Sequence, residues 1–600
     1  MRLDIQLNGV WEYWPDVSDI CKSLNLETFG ASVDNFVKTK KWKKLMIPSV
    51  VNLQDPSLFR FFGKVFYKVS FKTPFFAENH VVTLKFLGAN YKSCVFLNGK
   101  YLGEHENGYT EFSFDVDEIL NPPSSLDENL LLVVVDNAWG HDDWLPWTKN
   151  VDWFNYNGIH RPVKLVVKPR VRIADYELRS TIEFSDGDLP SSLSLLTRAI
   201  LENRTGDGFP GALSVDVVDP VSNEHVASTM EMLTVDAGSK FEQNNAINLD
   251  PALITLWSPD TPVLYHVTFR FFDGGGNKVD ERTCKWGFRK FEVREDKFFL
   301  NNKGIFLRGT NRHEDHPDFG LALPDQLRYQ DLVKMKHANI NCFRGAHHPP
   351  GKALLDYCDE LGLLFIEEIP AYSLDAKRMA NPALLATAKK YFDEMHDRDK
   401  NHACLIAWSM SNECDTGSVE GRKFHEVLYA HARDVDGGAR LVIHVSNRGV
   451  MDHCHDLSDF ITMNLYLGWY SGTKESFMDQ VNLVHEINID EDREFGAIKP
   501  IVLTEFGAEG LRGYRSWDAA KWSEDYQAEF LRYYIETCMQ HDFIGGTWTW
   551  MFSDTRVDLP DRPDGRARSY NNKGMVDEFR TPKLAYDVIR ELYGKWKDMT

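Results

Sequence analysis

The sequence predicts a multidomain β plus α/β protein: an N-terminal jelly-roll-like β-sandwich, an immunoglobulin-like β-sandwich and a C-terminal (β/α)8 TIM barrel. Three observations predict it. The chain has 600 residues, several times the ~150 of a typical domain. Its first half alternates short β-branched and aromatic runs with turn residues. Beyond residue 295, strand-length apolar runs alternate instead with long amphipathic segments.

The elements follow in order. Residues 1–170 contain VFYKVSFKT, NHVVTLKFLG, SCVFLNGKYLGEH and NLLLVVVD, spaced as the antiparallel strands of a sandwich. Residues 171–290 repeat the habit in LSLLTRAILENRTG, LSVDVVDP and LYHVTFRFFDGGG, as expected of an immunoglobulin-like domain. Residues 291–600 change texture. Eight strand candidates occur there: GIFLRGTN, INCFRGAH, LLFIEEIP, CLIAWSMSNE, RLVIHVSN, FITMNLYL, IVLTEFGA and GGTWTWMF. Amphipathic segments such as DQLRYQDLVKMKHAN lie between them. Eight βα units is the count of a TIM barrel, whose C-terminal rim carries the chemistry.

Composition excludes several classes. With 43% hydrophobic and 26% charged residues, the chain is neither disordered nor fibrous. Its net charge of −21 repels phosphate backbones and anionic lipid heads, so nucleic acid and membrane are not expected partners. No apolar run has the length of a membrane span or the form of a signal peptide, so a cytoplasmic location is expected. The nine cysteines are scattered without C-x-x-C spacing, as in reduced buried thiols. The Asn203 sequon is read as chance. Phosphate-loop, dinucleotide and serine-hydrolase motifs are absent.

Polar residues gather at the predicted strand ends: Arg312, His313, His347, Glu367, Asn412, Glu413, Asn464, Tyr466, Glu505 and Trp550. Glu413 ends the fourth candidate and Glu505 the seventh, positions that face each other across an eight-stranded barrel. Two facing carboxyls suit glycosidic cleavage, one protonating the leaving oxygen and one supporting the oxocarbenium-like centre; at ~5–5.5 Å apart the second attacks directly, with retention. Proximity raises the pKa of one and leaves the other ionised. The competing reading of either glutamate is a structural ion pair.

SNECDT and TEFG after strands, NRHEDHP at the start of the barrel and DWFNYNGIHRPV before it resemble the retaining glycoside hydrolases of family 2, which groups β-galactosidases, β-glucuronidases and β-mannosidases. The resemblance spans nearly the whole chain, including the domain order. It implies Glu413 as acid/base and Glu505 as nucleophile, with Asn412 on the sugar 2-hydroxyl. FNYNGIHR, RDKNH, NECDT, MNLYLGWY, WSEDYQ and YNNKGMVDEFRTPK are similar to β-glucuronidases in particular. Asn571-Asn572-Lys573 matches the Asn-x-Lys signature that holds the sugar C6 carboxylate there. Taken alone, Lys573 reads as a solvated surface lysine.

The same resemblance implies sugar contacts for Asp152 and His347; Tyr466 and Tyr470 in NLYLGWY are candidate donors to Glu505, with Tyr466 favoured. Asn464, Tyr470 and Trp550 complete the candidate substrate-binding set, though Trp550 and the tyrosines fit a packed core equally. Arg312 and His313 are expected to organise the barrel mouth, and Glu367 to anchor Arg344 or a neighbouring cation. No metal and no cofactor is expected: the close pairs His313 and His316, His347 and His348, and His453 and His455 lack further ligands in zinc-site spacing. The expected assembly is a homo-oligomer, a dimer or tetramer.

Together these imply a retaining exo-acting β-glucuronidase that hydrolyses terminal β-D-glucuronides by double displacement. The alternatives are a β-galactosidase or β-galacturonidase of the same mechanism and, more remotely, a non-catalytic carbohydrate-binding protein. Several positions depart from the family pattern: Cys414 in place of proline, Phe506 in place of tyrosine, and Leu465 where β-glucuronidases often carry arginine. Arg566 and Arg568 straddle the place of an expected arginine. The compact, helical stretch from Ala371 to Lys400 suggests an open aglycone side.

Overall fold

The structure is a computed structural model; it describes residues 2–18, 33–76, 79–141, 143–146, 151–185, 187–490, 495–557 and 566–599. A four-stranded sheet (Leu3–Gln6, Val163–Pro169, His80–Phe86, Phe112–Asp115) and a six-stranded sheet (Lys43–Ile47, Gly9–Pro15, Lys64–Phe71, Asn129–Asp136, Lys92–Leu97, Lys100–Glu106) form the first sandwich. All their pairings are antiparallel. Alternate residues such as Val65, Tyr67, Leu131 and Val133 point inward and are buried, the period-2 pattern of a strand with one covered face. A second pair of antiparallel sheets, of three and four strands, spans Val171 to Trp286 around Leu195, Val215 and Phe269.

The barrel has eight parallel strands: β1 (Leu307–Arg312), β2 (Cys342–Gly345), β3 (Leu364–Glu368), β4 (Leu405–Asn412), β5 (Leu441–Val445), β6 (Ile461–Asn464), β7 (Ile501–Phe506) and β8 (Ile544–Thr549). They are hydrogen-bonded in sequence around the ring except between β5 and β6. There the seam is closed by the Asn464 N–H donating to the Ser446 carbonyl at 2.8 Å and the Thr462 hydroxyl to the His444 carbonyl at 2.7 Å. Apart from Leu441 at the start of β5, the strands are buried on both faces, which is why they read as near-continuous apolar runs.

Two expectations need correction. The Gly304-Ile305 start of the first candidate is not barrel: Lys303–Ile305 belongs to a small antiparallel sheet with Phe291–Arg294 and Lys297–Leu300. That sheet plugs the barrel floor, where the Phe298 ring meets Phe460 at 5.2 Å. Nor are there eight complete βα units. Among the described residues, β5 is followed only by a 3-10 turn (Gly449–Met451). The segment NRGVMDHCHDLSD has no helical apolar period to cover the barrel, so it folds back on itself. No helix is long and apolar enough to cross a membrane among the described residues.

Candidate active site

The rim of the barrel opens into a cleft of about 420 Å³ lined by Glu413, Glu505, Asn464, Tyr466, Tyr470, Trp550, His347 and Asp152, together with Tyr372, Asn447 and Arg566. Glu413 leaves β4 with a φ of +50°, a left-handed conformation that costs a non-glycine residue about 1–3 kcal/mol. It is held there because the Glu413 N–H donates to the Val445 carbonyl at 2.8 Å and the Asn412 N–H to the Ala371 carbonyl at 2.9 Å. The turn sends the carboxylate into the cleft, where Glu413 Oε1 accepts from Asn464 Nδ2 at 2.9 Å. Asn464 is fixed in turn by the Thr504 hydroxyl at 2.8 Å.

Glu505, on β7, is held from two sides. Its Oε1 accepts from Arg344 Nη1 at 2.9 Å and its Oε2 from the Tyr466 hydroxyl at 2.8 Å. Arg344 is wholly buried and also donates to both oxygens of Glu368, to Asn311 Oδ1 and to Asn412 Oδ1. Burial pushes the Glu505 carboxyl up to about 8; the Arg344 guanidinium opposes this, Glu413 adds to it, and the Tyr466 hydroxyl opposes it again. A single charge-assisted bond and a phenol favour the anion on Glu505, and Glu413 Oε1 accepts from a neutral amide. The donors on Glu505 therefore favour its ionised form, and burial works against that.

At the other end of the cleft, charges converge. Lys573 Nζ donates to the Tyr470 hydroxyl at 2.8 Å and lies 3.3 Å from Glu509 Oε1. Arg566 donates to the same Tyr470 oxygen at 3.0 Å, to Asp152 Oδ2 at 2.8 Å and to Glu509. Asn571 Nδ2 also donates to Asp152 Oδ2. Lys573 is thus a buried amine and not a solvated surface lysine. Burial pushes Glu509 up, and Lys573 and Arg566 more than offset it, so its carboxyl lies below the ordinary range.

The remaining expectations sort by geometry. His347 stacks on Trp550 with centroids 5.1 Å apart, and its Nδ1 lies 2.9 Å from Glu368 Oε1. Trp550 is buried but lines the cleft. Asn412, Asn571 and Lys573 do not line the open cleft; each lies behind a residue that does. Arg312 pairs with Asp331, and His313 packs edge-on to Trp550 at 5.3 Å. Glu367 does not anchor Arg344. It pairs with Arg398 at 2.9 Å, while the next residue on β3, Glu368, takes Arg344, because successive strand residues point to opposite faces.

The departures from the family pattern are accommodated locally. Cys414 is buried with its thiol pushed up to about 12 by burial, and it bonds the Ala371 carbonyl at 3.4 Å, tying the Glu413 turn to the loop after β3. Phe506 stacks on Tyr534 at 5.3 Å, and Leu465 packs into the barrel core. Arg566 enters the cleft whereas Arg568 pairs with Glu578 outside it. Sequence reasoning missed Glu368, Glu509, Tyr372 and Asn447. The signal for Glu368 was an arginine inside the apolar strand NCFRG, which requires a buried anion; loop residues such as Asn447 carry no such signal.

Comparison with known proteins gives matches over most of the chain. Residues 291–597 match the model of the glycosyl hydrolases family 2 TIM barrel domain, 27–169 that of the family 2 sugar binding domain and 171–289 that described as glycosyl hydrolases family 2. A β-glucuronidase of Paenibacillus borealis is 26% identical over 94% of this chain and 95% of its own length. A β-galacturonidase of Eisenbergiella tayi bound to galacturonate superposes with a TM-score of 0.85 at 26% identity, covering 99% of this chain and 97% of that one. A β-glucuronidase of Ruminococcus gnavus in complex with D-glucuronic acid superposes with a TM-score of 0.84 at 25% identity, covering 99% and 98%.

Proposed function

Since this chain belongs to glycoside hydrolase family 2, we propose that it is a retaining, exo-acting β-glucuronidase that removes terminal β-D-glucuronides by double displacement. The observation that carries the sugar assignment is the convergence of Lys573 and Arg566 on the Tyr470 hydroxyl, at one end of a cleft whose other walls hold Glu413 and Glu505. A uronate differs from a neutral sugar by one full negative charge at C6. In a chain of net charge −21, only direct charge-assisted bonds offset the repulsion, each worth about 1.5–3 kcal/mol. Arg566, which lines the cleft, supplies such a bond directly, and Lys573 acts from behind through the Tyr470 hydroxyl; Glu509 and Asp152 orient the two cations, with Asn571 beside them.

In the reaction, ionised Glu505 attacks the anomeric carbon while protonated Glu413 gives its proton to the departing glycosidic oxygen. Glu413, now ionised, takes a proton from water, which attacks the glycosyl ester on Glu505. Arg344 and Tyr466 hold Glu505 in line and receive its charge again when the ester breaks. Asn412, fixed by Arg344, is assigned to the sugar 2-hydroxyl, and Trp550 and His347 to the apolar wall beneath the ring.

A β-galacturonide is the second reading: it carries the same C6 carboxylate and differs at C4, and the likeness to the Eisenbergiella tayi enzyme supports it. The test compares initial rates on p-nitrophenyl β-D-glucuronide, β-D-galacturonide and β-D-galactoside for the native chain and for Lys573→Ala. The glucuronide is expected to be fastest. The substitution should lower its kcat/KM about ten- to a hundredfold, the loss of the buried cation that polarises the Tyr470 hydroxyl, and leave the galactoside nearly unchanged. A galactoside preference that survives in both proteins contradicts the uronate assignment.

A further inference from the structure

Outside the cleft, a second group of ligand-type side chains lies at the helix-less connection after β5. His444 on that strand is rejoined by Asp452 and His455 from the loop that follows, and one ligand atom from each of the three lies within 4.8 Å of the other two. All three are buried. His444 Nε2 lies 3.0 Å from Asp452 Oδ2, and its Nδ1 lies 2.8 Å from the Tyr429 hydroxyl. Asp452 Oδ1 accepts from the Cys454 N–H at 2.8 Å.

His455 is the informative member. Its Nε2 lies 3.0 Å from the Gly449 carbonyl, a contact that only an N–H makes favourably, so the proton sits on Nε2 and a lone pair on Nδ1. That Nδ1 is buried without a hydrogen-bond partner, and so is the hydroxyl of Thr416. Thr416 is joined to the same loop, its carbonyl accepting from the His453 N–H at 3.2 Å. Buried lone pairs left without donors call for an explanation, and glycosidic cleavage uses none of these groups.

We propose that His444, Asp452 and His455 form a site for a divalent ion of the zinc class. Two imidazoles and one carboxylate suit zinc, whereas magnesium and calcium take oxygen ligands. The outer nitrogens are already oriented as in metal sites, Nε2 of His455 by a carbonyl and Nδ1 of His444 by a phenol. The other candidate group, Asp359, His402 and Cys404, is saturated instead. Asp452 likewise has both oxygens bonded, but in this second group no ligand atom is orphaned: His402 Nδ1 lies 2.7 Å from Asp359 Oδ2 and the Cys404 thiol donates to the Leu355 carbonyl at 3.7 Å, while burial pushes that thiol far up.

The site would brace the acid/base. Val445, next to His444, accepts from the Glu413 N–H, and Thr416 lies three residues past Glu413. Ser446 accepts from the N–H of Asn464, whose side chain holds Glu413. An ion here would fix the end of β5, whose Val445 carries the Glu413 turn, so its residues act as positioning groups.

The test uses the full chain, stripped with a chelator, reloaded with zinc chloride and dialysed, with metal content and Tm measured. About one zinc per chain should remain and Tm should rise by a few degrees. His455→Asn and Asp452→Asn should each abolish both effects, and either variant that folds suffices. Cobalt(II) loaded into the native chain should show the intense visible absorption of a four-coordinate site. No stoichiometric zinc in the native chain, or equal retention in the variants, overturns the proposal.

Discussion

Glu505 sits between a guanidinium and a phenol, and that placement decides how its charge responds to pH. Its carboxyl is pushed above the ordinary range, so the ionised, attacking form is lost as pH falls through a value higher than for a free glutamate. The acidic limb of kcat/KM should therefore lie above the usual carboxylate range. Tyr466→Phe removes a donor to the anion, raises the Glu505 pKa further and should shift that limb to higher pH, with kcat lowered about tenfold for the loss of roughly 1.5 kcal/mol. A pH–rate profile of both proteins checks it, and an unmoved limb refutes the role of Tyr466. The positions of Glu413 and Glu505 were legible in the sequence because an apolar run ending in a carboxylate marks a strand end. Glu509 was not, because it lies four residues past Glu505 in a loop and gains meaning only through Lys573 and Arg566.

At the scale of elements, the strands position the site through alternation. On β3, Glu368 faces the barrel interior and takes Arg344, while Glu367 faces Arg398. Arg344→Met would leave Glu368 buried without its cation and should cost about 3–5 kcal/mol of stability. Denaturant unfolding measures this; a loss below 1 kcal/mol contradicts the weight placed on Arg344. The eight barrel strands were readable from apolar runs bounded by turns. Two features were not. The floor plug reads as a continuation of the first barrel strand, because Phe298 and Ile305 have the same apolar character on either side of the turn. The absent helix after β5 was hidden by counting strands, since the loop containing Gly449 and Asp452 matches the length of a short connection.

For the whole molecule, the cleft is shared between domains. Asp152 comes from the first sandwich, yet it accepts from Arg566, 414 positions away. The segment carrying it is fastened to the barrel by Arg161, whose Nη2 pairs with Glu314 at 3.0 Å, and by the Tyr156 hydroxyl, which donates to Asp315 at 2.9 Å. Asp152→Ala should free the Arg566 guanidinium from one of its two carboxylates and lower uronide kcat/KM about ten- to a hundredfold, with little change in Tm. Steady-state kinetics beside a melting curve separates that outcome from a folding defect, and unchanged kinetics removes Asp152 from the site. The order of domains was legible from texture alone, sandwich signals giving way to βα alternation. The reach of Asp152 was not, since only the motif match and not local pattern placed it near the sugar.

The most direct test of the central claim is to incubate the enzyme with 2,4-dinitrophenyl 2-deoxy-2-fluoro-β-D-glucuronide and map the modified peptide by mass spectrometry. The fluorine slows the second displacement and lets the ester accumulate. A single glycosyl label on Glu505 is the predicted result. A label on Glu413, or hydrolysis with inversion and no covalent adduct, would contradict it.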